Sequence, residues 1–500
     1  MKRWNHFPLE IRQLILEMLA RNPSNGETSS RKTNLSLYAT VSKEWQAVFE
    51  RWNFGQLTLG SLCVNDLDKA FCHQRRLVKH IWLRIRLPGY DCPGCRETEG
   101  VEKNRNNAII TDSIFKLFTA LSTWGQNGTD EGITLEISAN SPSDSQHVFK
   151  DYHFETDAFS ESLDEQDPSK LHDPVHGWVN GQRVSVPGIY SMFRIFGSSS
   201  IAPEALHWDP PVVDVVTSFM VRRQTRRQFG DKALYRILDS LPRLTHIDFE
   251  PRRKLNIANP DKFYNPLFED HLPKTLKTLT VFEDFNENLK SFYRRERLLS
   301  ARRQRHSTPS NDAPEALGKA SLRLEQLSAS FFIDAKDFFD ALQPSQVWVH
   351  LESLALTSKL LDTIKDSDSV KSINSMLHAA GLAAQRMPRL RTMEIWTGGW
   401  GHASIFRYHI ADEFPVLTWH SVWDLEFEPR VISAWKDVAH LSPYNRHELR
   451  VEKHEILSES IKSHADAIEK LVLKKSVVNR VSLMQMHGDA KRMTIRPNRV

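Results

Sequence analysis

The chain has 500 residues, 40% hydrophobic and 26% charged, with 24 Pro and 20 Gly, a balance that allows a large packed core and excludes collagen-like and wholly disordered chains. A formal net charge of +4, from 66 Lys and Arg against 62 Asp and Glu, excludes a molecule that binds polyanions over its whole surface. Only 4 Cys are present and no apolar run approaches the roughly 18 residues of a membrane span, so the expected chain is intracellular, cytoplasmic or nuclear, with no membrane contact and no disulfide framework.

The N-terminal region reads as helical. Ile11, Leu14, Ile15, Met18 and Leu19 recur at i, i+3, i+4, i+7 and i+8, the spacing of one apolar helix face. Pro8 suits the first turn, where its missing N–H is not needed, and Asn22-Pro23-Ser24-Asn25-Gly26 ends the helix. After a polar loop, Leu37, Tyr38, Val41, Trp45, Val48, Phe49 and Trp52 keep helical spacing again, as one helix or as two meeting near Thr40 and Ser42. A unit this small has more apolar face than core. Those faces pack either on the rest of the chain or on a partner.

These residues also carry a family resemblance. Phe7-Pro8-Leu9-Glu10-Ile11, then Ile15-Leu16 and Leu19, then Val41-Ser42-Lys43-Glu44-Trp45 resembles the F-box, with its opening Leu-Pro-x-Glu, its Ile-Leu pair and its closing Val-Cys-Arg-x-Trp. Phe7 stands where the family has leucine and Ser42 where it has cysteine. The resemblance covers residues 4 to 53. It implies a three-helix module that docks on a Skp-type adaptor and so joins a cullin-based, SCF-type ubiquitin ligase. Pro8, Leu9, Ile11, Ile15, Leu16, Leu19, Val41 and Trp45 are the adaptor-binding positions that carry over.

Beyond residue 53 a leucine-rich pattern, L-x-x-L-x-L, occurs at Phe54/Leu57/Leu59, Val78/Ile81/Leu83, Leu351/Leu354/Leu356 and Ile468/Leu471/Leu473. Three further copies follow a proline: Leu241-Pro242-Arg243-Leu244 before Ile247 and Phe249, Leu272-Pro273 before Leu276, Leu279 and Val281, and Met387-Pro388-Arg389-Leu390 before Met393 and Ile395. Proline disfavours helix in the residue before it, and the alternation that follows suits a strand with one buried face. Helical stripes precede several of these strands, at Leu234/Ile237/Leu238/Leu241, Phe338/Phe339/Leu342 and Ile373/Met376/Leu377/Ala380. The predicted fold is therefore α/β: the helical module, 1–53, followed by an irregular leucine-rich-repeat-like α/β solenoid, 54–480, with parallel strands in chain order and helices on one side. A coarser layered α/β domain is the competing interpretation. Charged insertions are placed at about 140–185 and 289–316, and a basic tail at 481–500. In this organisation the whole chain is similar to filamentous-fungal F-box proteins with degenerate leucine-rich-like C-terminal regions.

Catalytic signatures do not emerge. Cys92-Pro93-Gly94-Cys95 is half of a zinc ribbon or a redox motif, but no second C-x-x-C exists, and Cys63, Cys72, His73 and His80 stand at unsuitable spacings. The expected turn holds two ordinary cysteines and well below one zinc per chain. His447-Glu448-Leu449-Arg450-Val451 lacks the second histidine of a metalloprotease helix. Phosphate-cradling loops and nucleophile elbows have no counterpart. No catalytic residue, cofactor or metal ligand is assigned, and nucleic acid is not an expected partner. The expected function is substrate recognition in a ubiquitin ligase, with an adaptor at the N-terminus and a protein substrate on the body. A scaffold acting outside any ligase is the alternative.

Overall fold

The computed structural model describes residues 4–21, 35–67, 71, 73–92, 100–125, 132–150, 152, 172–185, 187–196, 198–199, 208–225, 227–252, 261–284, 312–362, 367–411, 414–442 and 448–491. The fold is mixed α/β and is built on one 12-stranded sheet. Its strands are β1 (Gln56–Gly60), β2 (His80–Arg86), β3 (Ile133–Asn140), β4 (Val216–Val221), β5 (His246–Phe249), β6 (Thr278–Phe282), β7 (Gln326–Asp334), β8 (Ser353–Thr357), β9 (Thr392–Gly399), β10 (His402–Ala411), β11 (Phe414–Ser421) and β12 (Arg450–Glu455). They lie side by side in chain order. The helices are α1 (Leu9–Arg21), α2 (Lys43–Gly55), α3 (Gly100–Ser122), α4 (Ile189–Phe196), α5 (Asp231–Asp239), α6 (Asp261–Pro266), α7 (Asp312–Ser321), α8 (Ala335–Ala341), α9 (Ser367–Ala384), α10 (Pro429–Leu441), α11 (His464–Leu471) and α12 (Arg480–Lys491).

The proline motifs make one recurring turn. Leu244 N donates to Leu241 O at 3.3 Å, Leu276 N to Pro273 O at 3.1 Å, and Leu390 N to Met387 O at 3.0 Å. The chain then enters each strand through a bond to the same position of the strand before: Lys277 N to Thr245 O at 2.9 Å, Glu325 N to Lys277 O at 2.8 Å, Glu352 N to Glu325 O at 2.7 Å and Arg391 N to Glu352 O at 2.9 Å. The register that follows pairs Phe219 with Ile247, Ile247 with Leu279, Leu279 with Leu327, Leu327 with Leu354 and Leu354 with Met393. Apolar side chains thus stand in rows across the sheet, and a one-residue slip would turn every one to the wrong face. Leu57, Leu59, Ile81, Leu83, Ile247, Phe249, Leu279, Val281, Leu354, Leu356, Met393 and Ile395 all belong to one core with the stripes of α3, α5, α8, α9 and α10.

Several expectations need correction. The pairings β9–β10 and β10–β11 are antiparallel, so the sheet is mostly and not wholly parallel. Ile468 and Leu471 lie in helix α11, not in a strand, because Ser463 caps that helix and takes a bond from Asp466 N at 3.1 Å. Strands β3, β10 and β11 escaped the leucine-rich template because they bury polar side chains such as Glu136, Ser138, Ser404, Arg407 and Thr418, and β12 because it exposes every residue, whereas β4 keeps the template's spacing at Val216, Phe219 and Val221 and went unassigned. Helices do not keep to one side: α11, Val477, Val478 and Met486 pack with Phe282, Ala355, Trp396, Ala403 and Ile405 in a second core on the opposite face. The boundary drawn at 480 falls at the start of α12, which is part of this layer, and the insertion drawn to 316 overlaps α7, whose Ala313, Ala316 and Leu317 are buried. Of the charged insertions, residues 153–171 and 289–311 lie outside the described residues, as do residues 492–500 of the basic tail.

Two details fix the opposite face. Phe331, at the irregularity in β7, has φ +58°, which brings its ring to 5.0 Å from Trp396 in the second core. At Gly398 a Cβ would stand 2.3 Å from Ala467 Cβ, so only glycine lets α11 approach β9 this closely. The far edge, β12, is Arg450-Val451-Glu452-Lys453-His454-Glu455 and fully exposed, a charged edge that resists pairing with another chain.

Candidate functional site

The N-terminal helices build a small core of their own from Leu16, Ala20, Leu35 and Phe49, with Trp4, Tyr38, Trp45 and Val48 packed around it. The rings of Tyr38 and Phe49 lie 5.1 Å apart, Trp45 and Phe49 5.6 Å, and Trp4 and Trp45 5.7 Å. Glu44 ties α1 to α2, accepting from Trp4 Nε1 at 3.1 Å and from Arg12 at 3.1 Å. Ser42 N-caps α2, taking a bond from Trp45 N at 3.3 Å. Serine therefore suits this position for a reason that the motif comparison alone does not supply. The turn at 39–42 separates a helical turn at 35–38 from α2, so the second stripe is two pieces. Helix α2 runs straight into β1, and Phe54 at its end meets Phe71 edge to face at 5.9 Å, which roots the head in the body.

This core uses the weaker side of α1. At about 100° per residue, the stripe of Ile11, Leu14, Ile15, Met18 and Leu19 lies roughly 130° to 170° around the helix from Leu16 and Ala20. Its members face solvent: Leu14 is 54% exposed, Met18 61%, Ile11 42% and Leu19 40%, and Leu37 beyond them is 60% exposed. A contiguous apolar patch left in water marks an interaction surface more often than an accident of packing.

Of the eight positions named from the sequence, Pro8, Leu9, Ile11, Leu19 and Val41 are exposed, and Ile15 and Trp45 are half-buried. Leu16 is fully buried in the head's own core, so it supports the surface from beneath and does not form it. Leu14, Met18 and Leu37 are the surface residues that the motif comparison omitted. Helical spacing was the signal for all three.

The face of the sheet opposite the main helical layer carries a buried polar system under α11 and α12. Arg223 pairs with Asp284 at 2.7 Å and with Asp489 of α12, and Arg252 reaches the same Asp284 at 3.1 Å. Glu250 accepts from Ser482 Oγ at 2.5 Å, Asn479 N at 2.6 Å and Arg223 N at 2.8 Å. Burial nonetheless pushes its carboxyl up to about 7. Arg407 pairs with Glu394 at 2.6 Å and donates to Leu471 O at 2.7 Å and Val472 O at 2.9 Å, closing the C-terminus of α11. The chain thus fills with its own residues the face that would otherwise lie open.

Among the described residues one set of side chains has metal-ligand chemistry at close range: Cys92, His147 and His176, whose donor atoms all lie within 4.8 Å of one another. Sequence spacing missed it because the histidines come far downstream in the chain, whereas the search was for a second cysteine pair.

Residues 271–479 match a family of unknown function, DUF6546. The match runs from the turn before β6 to the segment between α11 and α12. It therefore takes in the second core apart from Met486 and leaves out the N-terminal head. No curated protein matches the chain.

Proposed function

We propose that the protein is a substrate-recognition adaptor of a cullin-based ubiquitin ligase, an F-box-type head that binds a Skp-type adaptor joined to an irregular leucine-rich-like solenoid that binds a protein substrate. The observation that carries this reading is the orientation of α1. Of the family's contact positions on this helix, Leu9, Ile11 and Leu19 are turned outward beside Leu14 and Met18, while Leu16 joins Ala20 and Phe49 in the head's core. The chain-ordered strands of the body support the solenoid half of the reading. Such a protein acts by proximity, holding a substrate near the conjugating enzyme, with no bond chemistry of its own. Because residues 456–486 cover the opposite face over β6, β8, β9 and β10, this reading assigns the substrate to the helical layer and the loops. A scaffold acting outside any ligase is the alternative reading.

The test is co-purification of the full chain with a purified Skp-type adaptor. Met18→Asp and Leu19→Asp each place a charge on a face that binding would desolvate, and at least about a tenfold loss of recovery is expected, with the thermal unfolding of the body unchanged. Wild-type protein that fails to capture the adaptor, or variants that capture it equally well, would overturn the ligase reading in favour of the scaffold.

A further inference from the structure

Cys92 follows β2 on a segment bound to the loop after β3. Ser141 Oγ donates to Pro88 O at 2.7 Å, Tyr90 N to Ser143 Oγ at 3.0 Å and Tyr90 Oη to Asp144 at 3.1 Å. The thiol stands 3.3 Å from Nε2 of His176, whose Nδ1 hydrogen-bonds Asp173 Oδ2 at 2.7 Å. That carboxylate, itself held by Lys150 at 2.9 Å, favours the tautomer with its proton on Nδ1 and leaves the Nε2 lone pair facing the sulfur. This is how metal-ligating histidines are oriented by a carboxylate. The His147 ring lies 5.2 Å from that of His176, and its Nε2 is buried without a hydrogen-bond partner among the described residues.

We propose that Cys92, His147 and His176 bind a zinc ion that staples the insertion after β3 to the end of β2. One thiolate and two imidazoles are soft and borderline donors that select zinc over magnesium or calcium. Metal bonds of about 2.3 Å to sulfur and 2.0 Å to nitrogen at tetrahedral angles put the donor atoms about 3.5 Å apart. The Cys92–His176 distance already satisfies this, and the 4.8 Å limit on the others closes with a side-chain shift of about 1 Å. Binding releases the thiol proton to solvent. Cys95 stands at C-x-x-C spacing in the sequence and lies outside the described residues. The three described ligands carry the proposal, and they reverse the sequence expectation of little or no zinc.

The experiment is metal analysis of the full-length chain purified without chelator, with expected zinc near one per chain, falling several-fold in Cys92→Ser and His176→Gln. Because those variants can also misfold, wild-type protein is stripped and reloaded with cobalt(II), which should give a thiolate-to-cobalt charge-transfer band at one equivalent. Wild-type chain with neither zinc nor that band would overturn the site. In that case rapid alkylation of Cys92 by iodoacetamide, slowed by His176→Gln, would assign the Cys92–His176–Asp173 arrangement to an activated thiolate instead.

Discussion

Deleting residues 456–500 is expected to leave a body that does not reach a soluble, cooperatively folded state. The deletion removes Ile456, Ile461, Ile468, Leu471, Val477, Val478 and Met486 from the second core, each no more than 8% exposed. At roughly 1.5 to 3 kcal/mol for each large side chain, the loss is on the order of 10 to 20 kcal/mol, as large as the whole stability of an ordinary domain, about 5 to 15 kcal/mol. It also uncovers Trp396 and Ile405, takes Asp489 from Arg223, and takes the Asn479 and Ser482 donors from Glu250. Solubility, size-exclusion elution and near-ultraviolet circular dichroism report the outcome. A soluble truncated chain with an unchanged melting temperature would show that the layer is an appendage. Gly398→Val makes the same test in the full-length chain, because its side chain would collide with Ala467, and a lower melting temperature is expected.

Between pH 4.5 and 6.5 the slope of stability against pH is expected to shift in opposite directions in two variants. Burial raises the Glu250 carboxyl from 4.5 to about 7, so the folded state holds that proton more tightly than the unfolded state. The resulting stability is fully present below pH 4.5 and is lost as pH rises through 7. His464, buried beside Met486, is lowered by that burial from 6.5 to about 4, so its contribution is present above pH 6.5 and is lost as pH falls through 4. Each spans about 2.5 units, or roughly 3 kcal/mol, and over the shared window they oppose one another. Measured against the wild type, whose profile also carries His409 lowered by burial to about 4, Glu250→Gln should therefore gain stability as pH rises from 4.5 to 6.5 and His464→Leu should lose it, whatever the absolute cost of each substitution. Chemical denaturation at several pH values measures the slopes. Variants that both keep the wild-type profile would show that neither group titrates with folding.

Much of the body was legible because strand alternation and helix stops are local. Leu-Pro-Arg-Leu at 241–244 and Met-Pro-Arg-Leu at 387–390 carry their own turn, and the apolar residues after them have one buried face wherever the chain goes next. The stripe of α1 was legible for the same reason, since helical periodicity identifies an apolar face from spacing alone. What that face touches is a tertiary question. Only the packing of Leu16 and Ala20 against Phe49 decided that the stronger stripe points to solvent.

The sequence by itself determined the α/β class, the strand and helix faces of the body and the candidate partner-binding stripe, because each depends on residues a few positions apart. Tertiary structure alone decided the antiparallel turn of β10, the layer of α11 and α12 over the opposite face, and the meeting of Cys92 with His147 and His176. Those contacts join residues far apart in the chain, and polar side chains such as Glu250, Arg223 and Arg407 read as solvent-facing until the elements that bury and pair them are in place.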